Sequence, residues 1–165
     1  MTKTLDNLKA AFAGESQANR KYLAFAEKAE SEGKPGVAKL FRAAAEAETI
    51  HAHGHLRLMK GVGSTEDNLK AAIEGETFEF KSMYPDMIKE AETEGEKAAL
   101  RYFEFANQAE EVHAQLYTCA LEADSDVFAQ ADFHICTVCG HTQDGPATEN
   151  CPICNAAPKA YKQVA

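Results

Sequence analysis

Apolar residues recur at three- and four-residue steps through most of this chain, which is the spacing of one helix face. Leu8, Phe12, Tyr22 and Phe25, with Glu15 among them, mark a helix predicted from about Lys3 to Ser31 and ended by the Glu-Gly-Lys-Pro-Gly run at 32 to 36. A second is predicted over Val37 to Lys60, with Leu40, Phe41, Ala44, Glu48, His51, His55 and Leu58 inward and a stop at Gly61-Val62-Gly63. Ser64 and Asp67 mark the cap of a third helix, whose inward face is Leu69, Ile73, Glu76, Glu79/Phe80, Met83 and Met87. It reaches about Thr93 and is expected to bend near Pro85. The fourth runs from Glu96 to roughly Asp124, with Leu100, Phe103, Asn107, Glu110, His113, Tyr117 and Leu121 on its stripe. Beyond Ala123 the period is lost and Gly and Pro punctuate the chain, so residues 132–165 read as a separate module after a linker at 125–131.

The two halves of the helical region repeat each other. Asp-Asn-Leu-Lys-Ala-Ala at 6 to 11 recurs at 67 to 72, Ala-Glu-Ser-Glu-Gly answers Ala-Glu-Thr-Glu-Gly, and Glu-Ala-Glu-Thr-Ile-His-Ala answers Gln-Ala-Glu-Glu-Val-His-Ala. The offset is 61 residues from Glu15 to Glu76 but 62 from Glu48 to Glu110 and from His51 to His113. A unit of that length exceeds a solenoid repeat and suits one helical hairpin, so the expectation is two related hairpins, about 3–60 and 64–124, packed face to face as a bundle over 1–124.

Chemistry changes the picture at the stripe positions. A Glu three residues before a His puts two metal ligands on one helix face, and the chain does this twice, at Glu48/His51 and Glu110/His113. Gly14-Glu15 and Gly75-Glu76 precede them, giving two Glu helices and two Glu-x-x-His helices, the ligand set of a di-metal carboxylate site in a bundle. Carboxylates pointing into an apolar core are prohibitive unless a cation neutralises them. So oxygen-rich a set suits iron or manganese better than a single zinc. Glu79 breaks the symmetry, because Ala18 is its counterpart; one turn after Glu76, it reads as a seventh ligand, with an exposed bystander as the alternative. Tyr22 and Tyr84, about two turns after Glu15 and Glu76, read either as hydrogen-bond donors to ligand carboxylates or as core tyrosines. His53 and His55 are not expected to be ligands, and Cys119 is expected to be a small buried thiol.

The tail carries Cys136-x-x-Cys139-Gly140 and Cys151-Pro152-x-Cys154, with 11 residues between the pairs, a spacing that presents four thiolates to one metal. From spacing alone the metal is structural zinc or redox-active iron. The net charge of −9 argues against nucleic acid and anionic membranes as partners, and no run approaches the ~18 apolar residues of a membrane span. With no apolar core at the N-terminus, a cytoplasmic location is expected, where paired cysteines serve metals rather than disulfides.

The Gly-Glu-Ser, Glu-Ala-Glu-Thr-Ile-His-Ala, Gly-Glu-Thr-Phe-Glu and Ala-Glu-Glu-Val-His-Ala segments, together with the two cysteine pairs, resemble the rubrerythrin family over essentially the whole chain. The resemblance implies an all-α four-helix ferritin-like bundle followed by a small metal-stapled rubredoxin-like domain. It implies a non-haem di-iron centre on Glu15, Glu48, His51, Glu76, Glu79, Glu110 and His113, with Glu48 and Glu110 bridging. Cys136, Cys139, Cys151 and Cys154 would hold one rubredoxin-type iron, and Tyr22 and Tyr84 match the family's tyrosines beside the ligands. The implied activity is reduction of hydrogen peroxide to water in oxidative-stress defence, with electrons from a separate NAD(P)H-dependent reductase or a rubredoxin. In that family the carboxylate matching Glu79 and the imidazole matching His51 exchange places on one iron with redox state.

No Gly-x-Gly-x-x-Gly fingerprint is present, which agrees with a separate electron donor. Competing readings are a ferroxidase or iron-handling protein, against which a redox-type tail argues, and a non-enzymatic metal-binding protein with zinc in both sites. In the ferritin-like arrangement the second and third helices run parallel, so their link must travel back roughly 36 Å along a helix. Gly61 to Ser64 spans only about 14 Å. The expectation is therefore either a plain up-down-up-down bundle or a homodimer that exchanges hairpins, and the likeness of the hairpins favours exchange.

Overall fold

The computed structural model describes residues 2–123 and 125–164. Asp124, where the bundle domain and its last helix are expected to end, lies outside the described residues, as do the chain ends Met1 and Ala165. Two compact units divide the chain, one ending at Gly63 and the other beginning at Ser64.

The first unit is a hairpin of α1 (Lys3–Ser31) and α2 (Pro35–Leu58). Thr2 caps α1 by accepting from the Leu5 N–H. At the other end Gly33 takes φ +72°, its N–H bonding Glu30 O at 3.0 Å and the Lys34 N–H bonding Ala29 O at 2.8 Å. That is a Schellman ending, which needs the left-handed residue that glycine supplies without penalty. Pro35 then opens α2, where its missing N–H costs nothing, two residues before the expected Val37. Helix α2 stops at Leu58 rather than Lys60, because Lys60 itself turns left-handed at φ +56°.

The seam between α1 and α2 is built from alanine: Ala26, Ala29, Ala38, Ala45 and Ala52 are its buried residues. Small side chains let the helices approach closely, and Phe41 packs beside them. The inward stripes expected from periodicity are therefore wider than what each hairpin buries. Leu40 and Leu58 are 68% and 71% exposed, and Phe25 and Tyr117 are exposed as well. Two helices in contact cover only a narrow seam of each other, and these residues stand beside it.

The second unit opens with a full capping box: Ser64 Oγ accepts from the Asp67 N–H at 3.1 Å, and Asp67 Oδ2 accepts from the Ser64 N–H at 3.3 Å. Helix α3 (Thr65–Phe78) continues through a π turn (Glu79–Met83) into α4 (Tyr84–Glu94), and α5 (Lys97–Glu122) returns alongside. In the π turn the Tyr84 N–H bonds Glu79 O, five residues back. Such a turn holds one residue more than an α turn. That surplus is the change of offset in the repeat: Tyr22 and Tyr84 are 62 apart whereas Glu15 and Glu76 are 61 apart, so the extra residue lies between Glu76 and Tyr84. Helix α1 is unbroken over the matching stretch. Where a bend is expected near Pro85, the structure has this widened turn directly before it, which accommodates a residue that cannot donate to the carbonyl four back. Gly95 at φ +76°, with the Glu96 N–H on Ala91 O at 3.0 Å, repeats the ending of α1.

The tail forms a three-stranded antiparallel sheet in the order β2-β1-β3, from β1 (Phe133–Cys136), β2 (Thr142–Asp144) and β3 (Tyr161–Gln163), which follows a short 3-10 turn at Pro158–Ala160. It seats on α5, where Phe105 packs against the cysteine cluster and a Cβ at Gly140 would lie 3.9 Å from Ala109 Cβ. Among the described residues no helix is long and apolar enough to cross a membrane.

Candidate metal centres

Among the described residues, three groups of side chains converge as metal ligands do. In the first unit α1 brings Glu15 and α2 brings Glu48 and His51, their ligand atoms within 4.8 Å of one another. Helical i, i+3 spacing stacks Glu48 and His51, with Oε2 and Nδ1 2.8 Å apart. The hydrogen bond from His51, and then the one with Glu15, hold the Glu48 carboxyl below its usual range. His51, expected inward, has a side chain 56% exposed, because α1 covers only one flank of α2.

In the second unit α3 brings Glu76 and α5 brings Glu110 and His113, again within 4.8 Å. Here Glu110 Oε2 lies 2.7 Å from His113 Nδ1 and Glu76 Oε2 lies 3.9 Å from it. Burial, and then the charge of Glu110, push Glu76 up to about 7. A half-buried carboxylate crowded by another is the signature of a site that a cation completes. The Glu110 hydrogen bond raises His113, and burial followed by Glu110 raises Glu79. Glu79 stands in the π turn, close enough for its charge to act on Glu76, yet outside the three residues whose ligand atoms converge. Tyr84 packs on Phe103 at a ring distance of 6.2 Å and is raised by burial and then by Glu110 and Glu79, which keeps its phenol a donor beside the carboxylates. Tyr22 sits in an aromatic group with Phe25 and Phe41, at ring distances of 6.3 and 6.2 Å.

Cys136, Cys139, Cys151 and Cys154 form the third group. Cys136 and Cys154 Sγ are 3.6 Å apart and Cys139 and Cys151 Sγ 3.5 Å apart. Four sulfurs around one metal at ~2.3 Å lie about 3.7 Å from each other. A disulfide would need about 2.05 Å. The two cysteine loops are alike: Gly140 at φ +85° sends its N–H to Cys136 O, and Asn155 at φ +61° sends its N–H to Cys151 O, both at 2.9 Å. Although burial acts against it, Cys151 is drawn down to about 6 by the Cys154 backbone N–H and then the Tyr161 hydroxyl, whereas burial pushes Cys139 up. Cys119 takes no part and is exposed, contrary to expectation: it lines an open cleft with Thr77 and Phe80 rather than packing into a core.

The second and third groups meet. His113 Nε2 lies 3.2 Å from Gly140 O and 3.2 Å from Thr142 Oγ1, so the imidazole spans from the carboxylates to the residue after Cys139. Periodicity gives no sign of this contact, nor of the 2.7 Å bond between His141 Nδ1 and the Tyr161 hydroxyl. The π turn, by contrast, was signalled by the one-residue change in repeat offset.

A sequence model of the rubrerythrin family matches residues 6–121. The chain belongs to the rubrerythrin family. It is 38% identical to rubrerythrin-2 of Clostridium acetobutylicum, covering 92% of this chain and 91% of that one. It is 40% identical to nigerythrin of Nitratidesulfovibrio vulgaris, covering 92% and 81%. The solved structure of partially reduced nigerythrin superposes with a TM-score of 0.59 at 36% identity, covering 99% of this chain and 88% of that one. The fold is the family's, ferritin-like helices followed by a rubredoxin-like tail, and so are the cofactors, carboxylate-held iron and one rubredoxin-type iron. The donor sets fit both: hard carboxylates with imidazole for the first, four thiolates at tetrahedral spacing for the second.

Proposed function

We propose that this protein reduces hydrogen peroxide to water in defence against oxidative stress, taking two electrons per peroxide from a separate NAD(P)H-linked reductase or rubredoxin and two protons from the solvent. The observation that carries this is the contact of His113 Nε2 with Gly140 O, which joins a carboxylate–imidazole group to a four-cysteine group within one compact unit. A storage site has no use for such a link. When bound, two irons on the carboxylates would each supply one electron to peroxide, and the tail iron would replace them one at a time.

The residues divide the work. Glu15, Glu48 and His51 with Glu76, Glu110 and His113 are the proposed ligands, Glu48 and Glu110 bridging, and Glu79 the asymmetric seventh. Tyr84 holds its proton and donates toward the carboxylates, and Tyr22 has the matching role in the other hairpin. Gly140 O fixes the far side of the His113 ring by accepting from Nε2, which leaves Nδ1, 2.7 Å from Glu110 Oε2, as the nitrogen that would face the metal. Each hairpin carries three of the ligands, and we propose that two chains exchange hairpins so that each site takes one triad of each kind. The short link from Gly61 to Ser64 and the near-identity of the triads support this reading.

The test uses iron-loaded protein, reduced without oxygen and mixed with stoichiometric peroxide. Rapid reoxidation with two electrons consumed per peroxide is expected; no reaction with peroxide would remove the proposal. Cys139→Ser should then abolish turnover with a protein donor yet leave one round of peroxide reduction in chemically reduced protein. Sustained donor-linked turnover in that variant would make the tail structural.

A further inference from the structure

Helix α5 carries a buried amide oxygen that neither the ligand sets nor the proposed roles use. Phe103, Asn107 and Glu110 share one stripe of the helix, at i, i+4 and i+7. Two contacts across the antiparallel pair locate the amide: Glu76 converges with Glu110 and His113, and Tyr84 packs on Phe103. Between these contacts the π turn lies against α5, and the register places Asn107 opposite its start at Glu79. Asn107 Oδ1 is buried, and among the described residues no donor reaches it. The first hairpin is built otherwise. At the matching position of α2 stands Ala45, 1% exposed, and the amide comes from α1, where Asn19 Nδ2 donates to Ala45 O at 2.7 Å and to Thr49 Oγ1 at 2.9 Å.

A buried carbonyl oxygen without a donor carries the full cost of lost hydration, which an apolar residue on the same stripe would avoid. Such an acceptor is met by a ligand that brings its own O–H. One helical turn separates Asn107 from Glu110, about 5–6 Å between Cβ atoms, so a small oxidant seated on the carboxylates comes within reach of the amide. We propose that Asn107 is a substrate-binding residue that favours hydrogen peroxide over dioxygen, its Oδ1 accepting a hydrogen bond from a peroxide O–H; this role rests on the peroxide reaction proposed above. Hydrogen peroxide has hydroxyl protons to donate and dioxygen has none. A site built to bond a hydroxyl discriminates against a ligand that leaves its acceptor unpaired.

The experiment compares two oxidants on one protein. Full-length, iron-loaded protein is reduced without oxygen and mixed in a stopped-flow instrument with a series of peroxide or of dioxygen concentrations. Asn107→Leu keeps the size of the side chain and removes the amide. It should slow reoxidation by peroxide about tenfold, the worth of one hydrogen bond, and leave reoxidation by dioxygen within about twofold of the parent. In the metal-free protein the same variant should unfold in urea at or above the parent midpoint, because it removes a buried acceptor that no protein group satisfies. An unchanged peroxide rate, an equal loss with both oxidants, or a lowered urea midpoint would overturn the proposal. Should the leucine variant fail to load iron, Asn107→Ala, which copies Ala45, reads the same ratio of rates, and a parent-like ratio there overturns it equally. If the parent itself does not react with peroxide, the proposed reaction and this role fall together; a parent-like ratio in a peroxide-active variant removes this role alone.

Discussion

Glu15, Glu48 and His51 converge beside an unbroken helix, whereas Glu76, Glu110 and His113 converge beside a π turn and under the cysteine-rich tail. The residue types and spacings in the two triads are the same, yet a different carboxyl is displaced in each, and in the opposite direction. Glu48 is held below the ordinary carboxylate range by His51, while Glu76 is pushed up to about 7 by burial and by Glu110. Cover differs at the imidazoles: His51 has a 56% exposed side chain and His113 a 25% exposed one, because the tail lies on His113. A ligand set is therefore only half of a site. Its neighbours decide how readily it holds charge without metal and what it can exchange electrons with.

The largest effect expected from breaking this comparison comes from disabling one triad at a time. Glu48→Ala/His51→Ala and Glu110→Ala/His113→Ala chains should each be inactive alone. Unfolded together and refolded, they should regain about half the parent activity per dimer if hairpins are exchanged, since one site collects both intact triads. Verified mixed dimers without activity would rule the exchange out.

The π turn is tested by making the second hairpin like the first. Deleting exposed Lys81 removes the surplus residue, and Glu79→Ala removes the unmatched carboxylate. Each should keep iron loading, measured by metal analysis, and slow peroxide turnover roughly 10- to 100-fold, the range for losing a group that orients ligands. Parent-like kinetics in both would mean the asymmetry has no part in turnover.

Where the hairpins are alike, substitutions should act alike. Gly33→Ala and Gly95→Ala each force a side chain into the left-handed region and should each cost ~1 kcal/mol in urea unfolding. Unequal costs would show that the two turns differ in support despite their matching hydrogen bonds.

The smallest effect is the pH dependence of the metal-free protein. Glu76 has a folded value raised above its unfolded one, so its contribution is fully present below about 4.5 and is lost as pH rises toward 7. Solvent screening of this half-buried group limits the loss to about 1 kcal/mol. Glu76→Gln should flatten the stability profile between pH 4.5 and 7; an unchanged slope would place the titration elsewhere.

The sequence by itself determined the helices, their repeat and the ligand letters, because these rest on local rules. Helical period set the stripes, Ser64 with Asp67 set a cap, Gly33 and Gly95 set two turns, and Cys-x-x-Cys spacing gathered four thiolates. Even the π turn stood in the sequence as a one-residue slip between Glu76 and Tyr84, since a helix that gains a residue must widen to keep its later residues in register. How far each stripe is buried was not legible. Leu40, Leu58 and His51 fit an inward pattern and are exposed, because periodicity names a face without saying how much of it a single neighbouring helix can cover. The contacts of His113 with Gly140 and of His141 with Tyr161 join residues 27 and 20 positions apart. Only the tertiary structure could decide them, because packing of a sheet on α5 and pairing of β1 with β3 bring those groups together, and no local pattern encodes that approach.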